Sequence, residues 1–120
     1  MHELSIAMSI VELAEEEAAR RGDAQVHAVH LKLGAFSGVV KEALLASYEM
    51  ARAGTALEGS TLEIEEIPLV VFCAHCQTNR QLPSMTLFCC PDCGAPTPHI
   101  VQGKELQISA LEITQLEPQP

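Results

Sequence analysis

Two Cys-x2-Cys pairs constrain the fold of this chain more than any other feature of its sequence. Cys73 and Cys76 form the first pair, and Cys90 and Cys93 form the second. Zn²⁺ takes four soft ligands in a tetrahedron, and two such turns on facing hairpins can deliver them. The intervening segment is long enough for a short hairpin. The spacing therefore predicts a structural zinc site, closed to water because cysteine fills all four positions.

The residues beside each pair bear on the geometry of the two turns. Pro91 stiffens the second turn, and Gly94 can take a positive φ, so that backbone N–H groups aim at the thiolate sulfurs. The first turn lacks that glycine, so Gln77 must tolerate the same conformation or the turn is looser. Cys89 is an alternative ligand in a shifted register, although the spacing and Pro91 favour Cys90. Iron in a rubredoxin-like site is a less favoured alternative to zinc with the same ligands.

Composition and charge narrow the class of protein. Apolar residues make up 48% of the 120 residues and the formal net charge is -9. Such an acidic chain is repelled by the phosphates that dominate nucleic-acid recognition, which counts against a DNA-binding zinc finger. The sequence has no apolar run of membrane-helix length and no visible export signal, so we expect a cytoplasmic protein. Disulfides are disfavoured in the cytosol, which also favours metal ligation by the cysteines.

Two helices are predicted from hydrophobic periodicity. The first covers residues 3–21 and ends at Gly22, which supplies a C-terminal cap. The second runs from Val39 to Ala53, with Ser37 as its N-cap. The first helix is predicted to bury one apolar stripe, formed by Leu4, Ala7, Met8, Val11, Ala14 and Ala18.

Strand patterns flank the cysteine segment and predict an α+β fold. Alternating residues indicate strands at Val26–Leu33, Thr61–Ile67 and Glu105–Leu116. A shift of the alternation in the last strand suggests a β-bulge or a strand covered on both faces. We expect this strand to return to the sheet of the first two, which makes residues 69–104 an insert. The predicted domains are then 1–68 with 105–120, and the zinc-binding insert 69–104.

The N-terminus carries a second set of candidate ligands. The chain begins Met1-His2-Glu3, and a bulky second residue should protect the initiator methionine from removal. The free α-amine, the His2 imidazole and nearby backbone nitrogens can converge on one cation. A nitrogen-rich, square-planar set suits Ni(II) or Cu(II) better than Zn²⁺ or Mg²⁺. Taken alone, a histidine at position two is more often just an exposed chain end.

Together these features resemble the HypA/HybF family of nickel metallochaperones for [NiFe]-hydrogenase maturation. The resemblance covers essentially the whole chain. It implies two helices packed on a small three-stranded sheet, with a zinc-ribbon-like four-cysteine domain inserted before the last strand. The motifs that carry it are Met1-His2-Glu3, Leu33-Gly34-Ala35-Phe36-Ser37-Gly38, the two cysteine pairs, Gly54-Thr55-x3-Gly59 and Ile100-Val101-Gln102-Gly103.

The resemblance also implies roles for single residues. His2 matches the family's nickel anchor, and Glu3 is implied to contribute its backbone nitrogen, with its side chain supporting the ligands. The family's zinc ligands match Cys73, Cys76, Cys90 and Cys93. A carboxylate that some members place before the second helix falls near Val40, which cannot ligate, and Glu42 lies two residues away. The histidines that some members have beside the second cysteine of each pair are missing.

The function implied is a non-enzymatic nickel carrier, with Zn²⁺ as a structural cofactor and Ni²⁺ as transferred cargo. The implied partners are a HypB-like GTPase and the [NiFe]-hydrogenase large subunit, with no nucleic acid and no membrane; a homodimer and a role in urease maturation are open. The rivals are a zinc-ribbon protein-interaction module without nickel chemistry and an iron electron-transfer protein. For His27 and His30 we favour structural or surface roles, and His99 is a less favoured extra nickel ligand.

Overall fold

The fold is taken from a computed structural model, which describes residues 2–83 and 88–115. The chain has two compact units. The first comprises Met1–Leu31, Val39–Ile64 and Ile108–Pro120, and the second comprises Lys32–Gly38 and Glu65–Gln107. The elements are helices α1 (Glu3–Arg20) and α2 (Lys41–Ala51) and strands β1 (Gln25–Gly34), β2 (Thr61–Ile67), β3 (Val70–Cys73), β4 (Thr78–Gln81), β5 (His99–Gln102) and β6 (Leu106–Thr114).

The predicted α+β class is confirmed, with two helices and small sheets. One three-stranded sheet has the order β2-β1-β6, so the last strand does return beside the first. The predicted end of that strand, Leu116, lies outside the described residues. The predicted insert 69–104 falls inside the second unit, which also contains the segment Lys32–Gly38.

Helix α1 has its predicted extent within one residue, but its buried stripe differs from the prediction. Met8 is 56% exposed and Leu4 37%, whereas Ile10, which the prediction left out, is buried. The helix ends as expected, because Gly22 has a φ of +71°. The buried face is formed by Ala7, Ile10, Val11, Ala14 and Ala18, which join the core of the first unit.

Helix α2 is shorter than predicted, and Ser37 is not its N-cap. The N-cap residue is Val40, whose backbone is extended with φ -86° and ψ 117°. The backbone N–H of Val40 donates to the Glu3 carboxylate over 3.2 Å. The helix buries Leu44 and Tyr48 in the core of the first unit.

The second unit is built on a sheet with the order β4-β3-β5. Within residues 65–83 and 88–107 its apolar cluster is small: Leu69, Val71 and Leu82 are buried, with Phe88 and Ile100 packed against them. A cluster of this size buries little apolar surface, so a unit of this kind usually needs a metal or disulfides to remain folded.

A close backbone approach within the second unit requires a glycine. The Phe36 N–H donates to the Gly103 carbonyl over 2.6 Å, and the Gly34 N–H donates to the Glu105 carbonyl over 2.7 Å. A Cβ atom on Gly34 would overlap the backbone of Gly103. These two hydrogen bonds hold residues 34–36 against residues 103–105, which follow strand β5.

Candidate metal centres

The first cysteine turn connects strands β3 and β4. Cys73 ends β3 and pairs with Thr78, the first residue of β4, so the two close the hairpin. The Cys76 N–H lies 3.3 Å from the Cys73 sulfur. Gln77 has a φ of +57°, and its side-chain amide donates to the Ala74 carbonyl. Gln77 therefore does adopt the left-handed conformation that a glycine would take at this place.

The second cysteine turn lies in a short hairpin closed by a bridge between Cys89 and Pro96. The Cys90 N–H donates to the Ala95 carbonyl over 2.8 Å, and the Gly94 N–H donates to the Cys90 carbonyl over the same distance. Gly94 has a φ of +76°, as expected from the sequence. Each turn is thus followed, directly after its second cysteine, by a residue in the left-handed conformation.

Backbone N–H groups donate hydrogen bonds to the Cys90 sulfur, as predicted for a turn of this kind. Burial raises the pKa of the Cys90 thiol, but hydrogen bonds from the N–H groups of Cys93 and Asp92, together with those from the Cys93 and Cys73 thiols, outweigh burial and lower the pKa to about 6. Such donors stabilise the thiolate, which is the form that ligates a metal. At Cys93, in the same turn, the Ala95 N–H lowers the pKa of the thiol, but burial and the sulfurs of Cys73, Cys76 and Cys90 outweigh it and raise the pKa to about 12. Within this turn the backbone donors therefore favour the thiolate at Cys90.

The four cysteines of the two pairs meet at one place. Their sulfurs all lie within 4.8 Å of one another. The distance is 3.5 Å between Cys73 and Cys93 and 4.0 Å between Cys76 and Cys90. A tetrahedron with Zn–S bonds of about 2.3 Å places its sulfurs about 3.8 Å apart, so this set fits a tetrahedral tetrathiolate metal. In the described part of the chain, the group contains Cys90 and not Cys89.

Arg80 and Asp92 lie beside this cluster, and nothing in the sequence analysis singled them out. The Arg80 Nε lies 2.9 Å from an Asp92 carboxylate oxygen. That N–H has no hydrogen-bond partner among the described residues, so the contact is an ion pair without an aligned hydrogen bond. The sulfur of Cys90, then the charge of Asp92 and the sulfur of Cys76, outweigh desolvation and raise the pKa of Arg80. A cation close to a cysteine pair is a signal that could have been sought in the sequence.

The N-terminal candidates lie at the start of helix α1. His2 is exposed, and its carbonyl accepts the Ile6 N–H over 2.9 Å and the Ser5 hydroxyl over 3.1 Å. The Val40 N–H is the main cause of a lowered pKa at the Glu3 carboxyl. The Glu3 side chain thus contacts the start of α2. Met1 lies outside the described residues, so ligation by His2 and Glu3 stays a prediction.

The remaining histidines have partners or exposed positions. The His27 Nε2 lies 2.6 Å from the Thr114 hydroxyl, and the His30 Nε2 lies 2.6 Å from a Glu112 carboxylate oxygen. Both contacts join strand β1 to strand β6, which agrees with a structural role. His99 is exposed at the start of β5.

The comparison with known families decides the identity of the chain. A family model described as hydrogenase/urease nickel incorporation, metallochaperone, HypA matches residues 1–113. The chain belongs to the HypA family. The hydrogenase maturation factor HypA of Roseiflexus sp. (strain RS-1) is 56% identical over 112 residues, which are 93% of this chain and 91% of that protein. The same factor from Chloroflexus aggregans is 48% identical over 112 residues, which are 93% of this chain and 98% of that protein.

Solved HypA structures share the fold of this HypA chain. The solution structure of the Ni metallochaperone HypA from Helicobacter pylori has a TM-score of 0.67 at 24% sequence identity, and the match covers 97% of this chain and 100% of that one. At that identity the likeness concerns the fold. The resemblance stated from the sequence is therefore confirmed for family and fold. Within the described ranges, no helix of this HypA chain has the length and apolar character needed to cross a membrane.

Proposed function

We propose that this chain binds Ni(II) at its N-terminus and delivers it during [NiFe]-hydrogenase maturation. Membership of a nickel-incorporation family supports a metallochaperone role. The observation that carries the finer proposal is the exposed His2, which lies next to the chain's first residue at the start of α1. Imidazole and backbone nitrogens are ligands that suit Ni(II). The nickel is cargo, and no chemical conversion of a substrate is involved.

The Glu3 side chain has a supporting role in this proposal. Its carboxylate accepts the Val40 N–H, which ties the beginning of α1 to the beginning of α2. The first N–H groups of a helix have no acceptor within the helix. The Glu3 N–H donates to its own carboxylate instead. In this proposal, ligation of nickel by the Glu3 backbone nitrogen replaces that hydrogen bond, while the carboxylate keeps its contact with Val40. Glu42, in the first turn of α2, is exposed and is not needed in this scheme.

Zn²⁺ is proposed as the resident metal of the four cysteines. Their sulfur separations fit a tetrahedral ion, and four thiolates leave no position for water or for exchange. When bound, the ion supplies structural stability to a unit whose apolar cluster is small. A closed sulfur site retains its metal, whereas an open nitrogen site at a chain end can release its metal to a partner. The two sites thus divide structure from transport.

The proposed partners follow from the family. A HypB-like GTPase would exchange nickel with this chain, and the hydrogenase large subunit would receive it in the cytoplasm. The chain is strongly acidic, with a formal net charge of -9. Its electrostatic field therefore favours the approach of cations and of basic protein surfaces over that of nucleic acid.

Calorimetric titration of nickel into the untagged, zinc-loaded chain tests the N-terminal site. We expect one Ni(II) per chain, lost in His2→Ala and in a chain extended by two residues before Met1, because extension removes the free amine from its place beside His2. His75→Ala is the matched control, since His75 is also exposed and lies inside a cysteine pair. Zinc content should stay unchanged in all variants. Nickel uptake by His2→Ala equal to that of the parent chain would contradict the carrier proposal and favour a protein-interaction module.

A further inference from the structure

The ion pair between Arg80 and Asp92 connects the two cysteine turns of the second unit. Arg80 is the third residue of β4, two residues after Thr78 closes the hairpin, and it pairs with Val71 on β3. Asp92 lies between Cys90 and Cys93 in the second turn. The side chain of Arg80 is 29% exposed and that of Asp92 is 64% exposed. The contact therefore joins the strand that follows one turn to the interior of the other turn.

The negative charge of a tetrathiolate zinc site suggests a role for the ion pair between Arg80 and Asp92. Four thiolates and one Zn²⁺ leave an excess of two negative charges, which hydrogen-bond donors and nearby cations must offset. The Cys76 N–H reaches the Cys73 sulfur, and the Asp92 and Cys93 N–H groups reach the Cys90 sulfur. The buried Arg80 Nε lies 2.9 Å from the carboxylate of Asp92, the residue between Cys90 and Cys93, so the positive charge of Arg80 lies beside the second cysteine turn. The raised pKa of Arg80, to which the sulfurs of Cys90 and Cys76 contribute, agrees with this placement.

We propose that Arg80 is a positioning residue of the metal site, which, held by Asp92, joins the two cysteine turns and offsets part of the thiolate charge. This inference rests on the proposal that zinc occupies the four cysteines. Arginine suits the role because its planar, permanently charged fork can contact a carboxylate through one N–H and keep its other N–H groups for neighbouring acceptors, which a lysine ammonium cannot do with the same geometry.

The alternative is that Arg80 and Asp92 form an ordinary surface ion pair with no effect on the metal site. The chain contains a comparable surface pair that can serve as a control. The Arg21 Nε lies 3.0 Å from a Glu17 carboxylate oxygen on α1, with side chains 53% and 35% exposed. Exposed pairs of that kind contribute little to stability. The two pairs join the same kinds of atoms at nearly the same distance, but only the Arg80 pair includes a residue that lies between two of the four cysteines. Arg21→Gln is thus the control for Arg80→Gln.

The test measures how fast the zinc-loaded full chain gives up its metal to an excess of a chromogenic chelator. We expect Arg80→Gln to release zinc about tenfold faster than the parent chain, because loss of a residue that supports the ligands typically weakens metal binding by 10-fold to 100-fold. Arg80→Lys should fall between the two, and Arg21→Gln should match the parent. Asp92→Asn should also accelerate release, but should add nothing in the Arg80→Gln background, since the two residues act as one unit.

Release from Arg80→Gln at the rate of Arg21→Gln would overturn the inference, and so would full additivity of Arg80→Gln and Asp92→Asn. Should Arg80→Gln fail to load zinc, Co²⁺ binding to Arg80→Lys decides the matter. Weaker binding than in the parent chain supports the role, and equal affinity with the same thiolate-to-cobalt absorption overturns it. A parent chain that takes up no zinc would overturn the proposed function of the four cysteines instead, so the two failures are distinguishable.

Discussion

Gln77 and Gly94 occupy equivalent places after the two cysteine turns, and both have a positive φ. The left-handed conformation costs an L residue about 1–2 kcal/mol, a cost from which glycine is free. No heavy atom lies within 4 Å of the place where a Cβ on Gly94 would be, so only the backbone conformation opposes a side chain there. The two positions therefore allow the strain of a cysteine turn to be measured.

Substitutions at Gln77 should separate backbone strain from the side-chain hydrogen bond. Both Gln77→Gly and Gln77→Ala lose the amide contact with the Ala74 carbonyl, but only alanine keeps the strained φ. We expect the glycine variant to be more stable than the alanine variant by about 0.5–1 kcal/mol, after the greater entropy of unfolded glycine is subtracted. Denaturant unfolding of the zinc-loaded chain measures this difference.

Gly94→Ala is the complementary control and should be destabilising by a similar amount. Equal stability of the alanine and glycine variants at residue 77, together with an unaffected Gly94→Ala, would show that neither turn carries strain at this position.

Tyr48 should ionise at a higher pH than an exposed tyrosine. Burial raises the pKa of its hydroxyl, and the hydrogen bond with Ser60, 2.6 Å long, only partly opposes this. A raised pKa in the folded chain means that the stabilisation is complete below the unfolded value of about 10 and is lost as the pH rises through the folded value. Tyr48 is the chain's one tyrosine and there is no tryptophan, so ultraviolet absorbance of tyrosinate reports this residue alone.

The Tyr48→Phe and Ser60→Ala variants complete this test. Tyr48→Phe should lose about 1 kcal/mol of unfolding free energy at neutral pH, because the buried Ser60 hydroxyl loses its partner. The unfolding free energy of Tyr48→Phe should also fall less steeply at high pH than that of the parent chain, because the variant has no tyrosine hydroxyl to ionise. Ser60→Ala should raise the pKa of Tyr48 further, since the Ser60 hydrogen bond lowers it. Ionisation of Tyr48 in the folded chain at the ordinary tyrosine pH would contradict the argument.

Among the elements, helix α2 shows a limit of prediction from local sequence, because its N-cap was predicted at Ser37 and is Val40. Ser37 has the right chemistry for an N-cap, but it lies in a turn in which its N–H donates to the Gly34 carbonyl over 3.0 Å. The neighbouring Ala35 and Phe36 N–H groups donate to Ile67 and Gly103, which are distant in sequence. These long-range hydrogen bonds hold residues 35–37 in a turn, so the helix begins later. Local capping rules contain no information about them.

A better N-cap residue at position 40 should stabilise the start of α2. Val40 has the extended backbone of an N-cap and is 55% exposed, so its side chain contributes little packing. An asparagine there can accept a hydrogen bond from the N–H groups of the first helical turn, which stabilises a helix by about 1 kcal/mol relative to alanine. We therefore expect Val40→Asn to unfold at a higher denaturant concentration than Val40→Ala. Equal midpoints for the two variants would show that the cap contributes nothing.

Helix α1 shows a second limit of prediction from sequence. Its extent followed from periodicity and from Gly22, but apolar residues occupy more than one face of the helix. Met8 and Ile10 both fit a 3.6-residue period, in stripes turned relative to each other. Ile10 is buried because the core of the first unit, which includes Val29, Leu31 and Leu44, lies on that side. The choice between stripes belongs to tertiary packing.

For the whole molecule, the parts that could be predicted are those encoded by short spacings. The cysteine pairs, the left-handed Gly94 and the return of the last strand follow from neighbouring residues and from strand order. The contacts of Arg80 with Asp92 and of Glu3 with Val40 depend on the register of β3 with β4 and on the packing of α1 with α2. The nearness of Arg80 to a cysteine pair is visible in the sequence, but its partner Asp92, like the Val40 partner of Glu3, is fixed only by tertiary structure.

Removal of zinc should affect the two units differently, because their apolar cores differ in size. Among the described residues, the first unit has 12 buried residues in its cluster, whereas the second has three. Metal binding is then a large part of the folding free energy of the second unit. We expect a chelator to abolish the hydrogen-exchange protection of strands β3, β4 and β5 and to leave that of helices α1 and α2, with added zinc restoring it. Cys89→Ser should respond in the same way, since Cys89 stands outside the four-sulfur group. Persistent protection of β3 in the metal-free chain would mean that apolar packing alone suffices for the second unit.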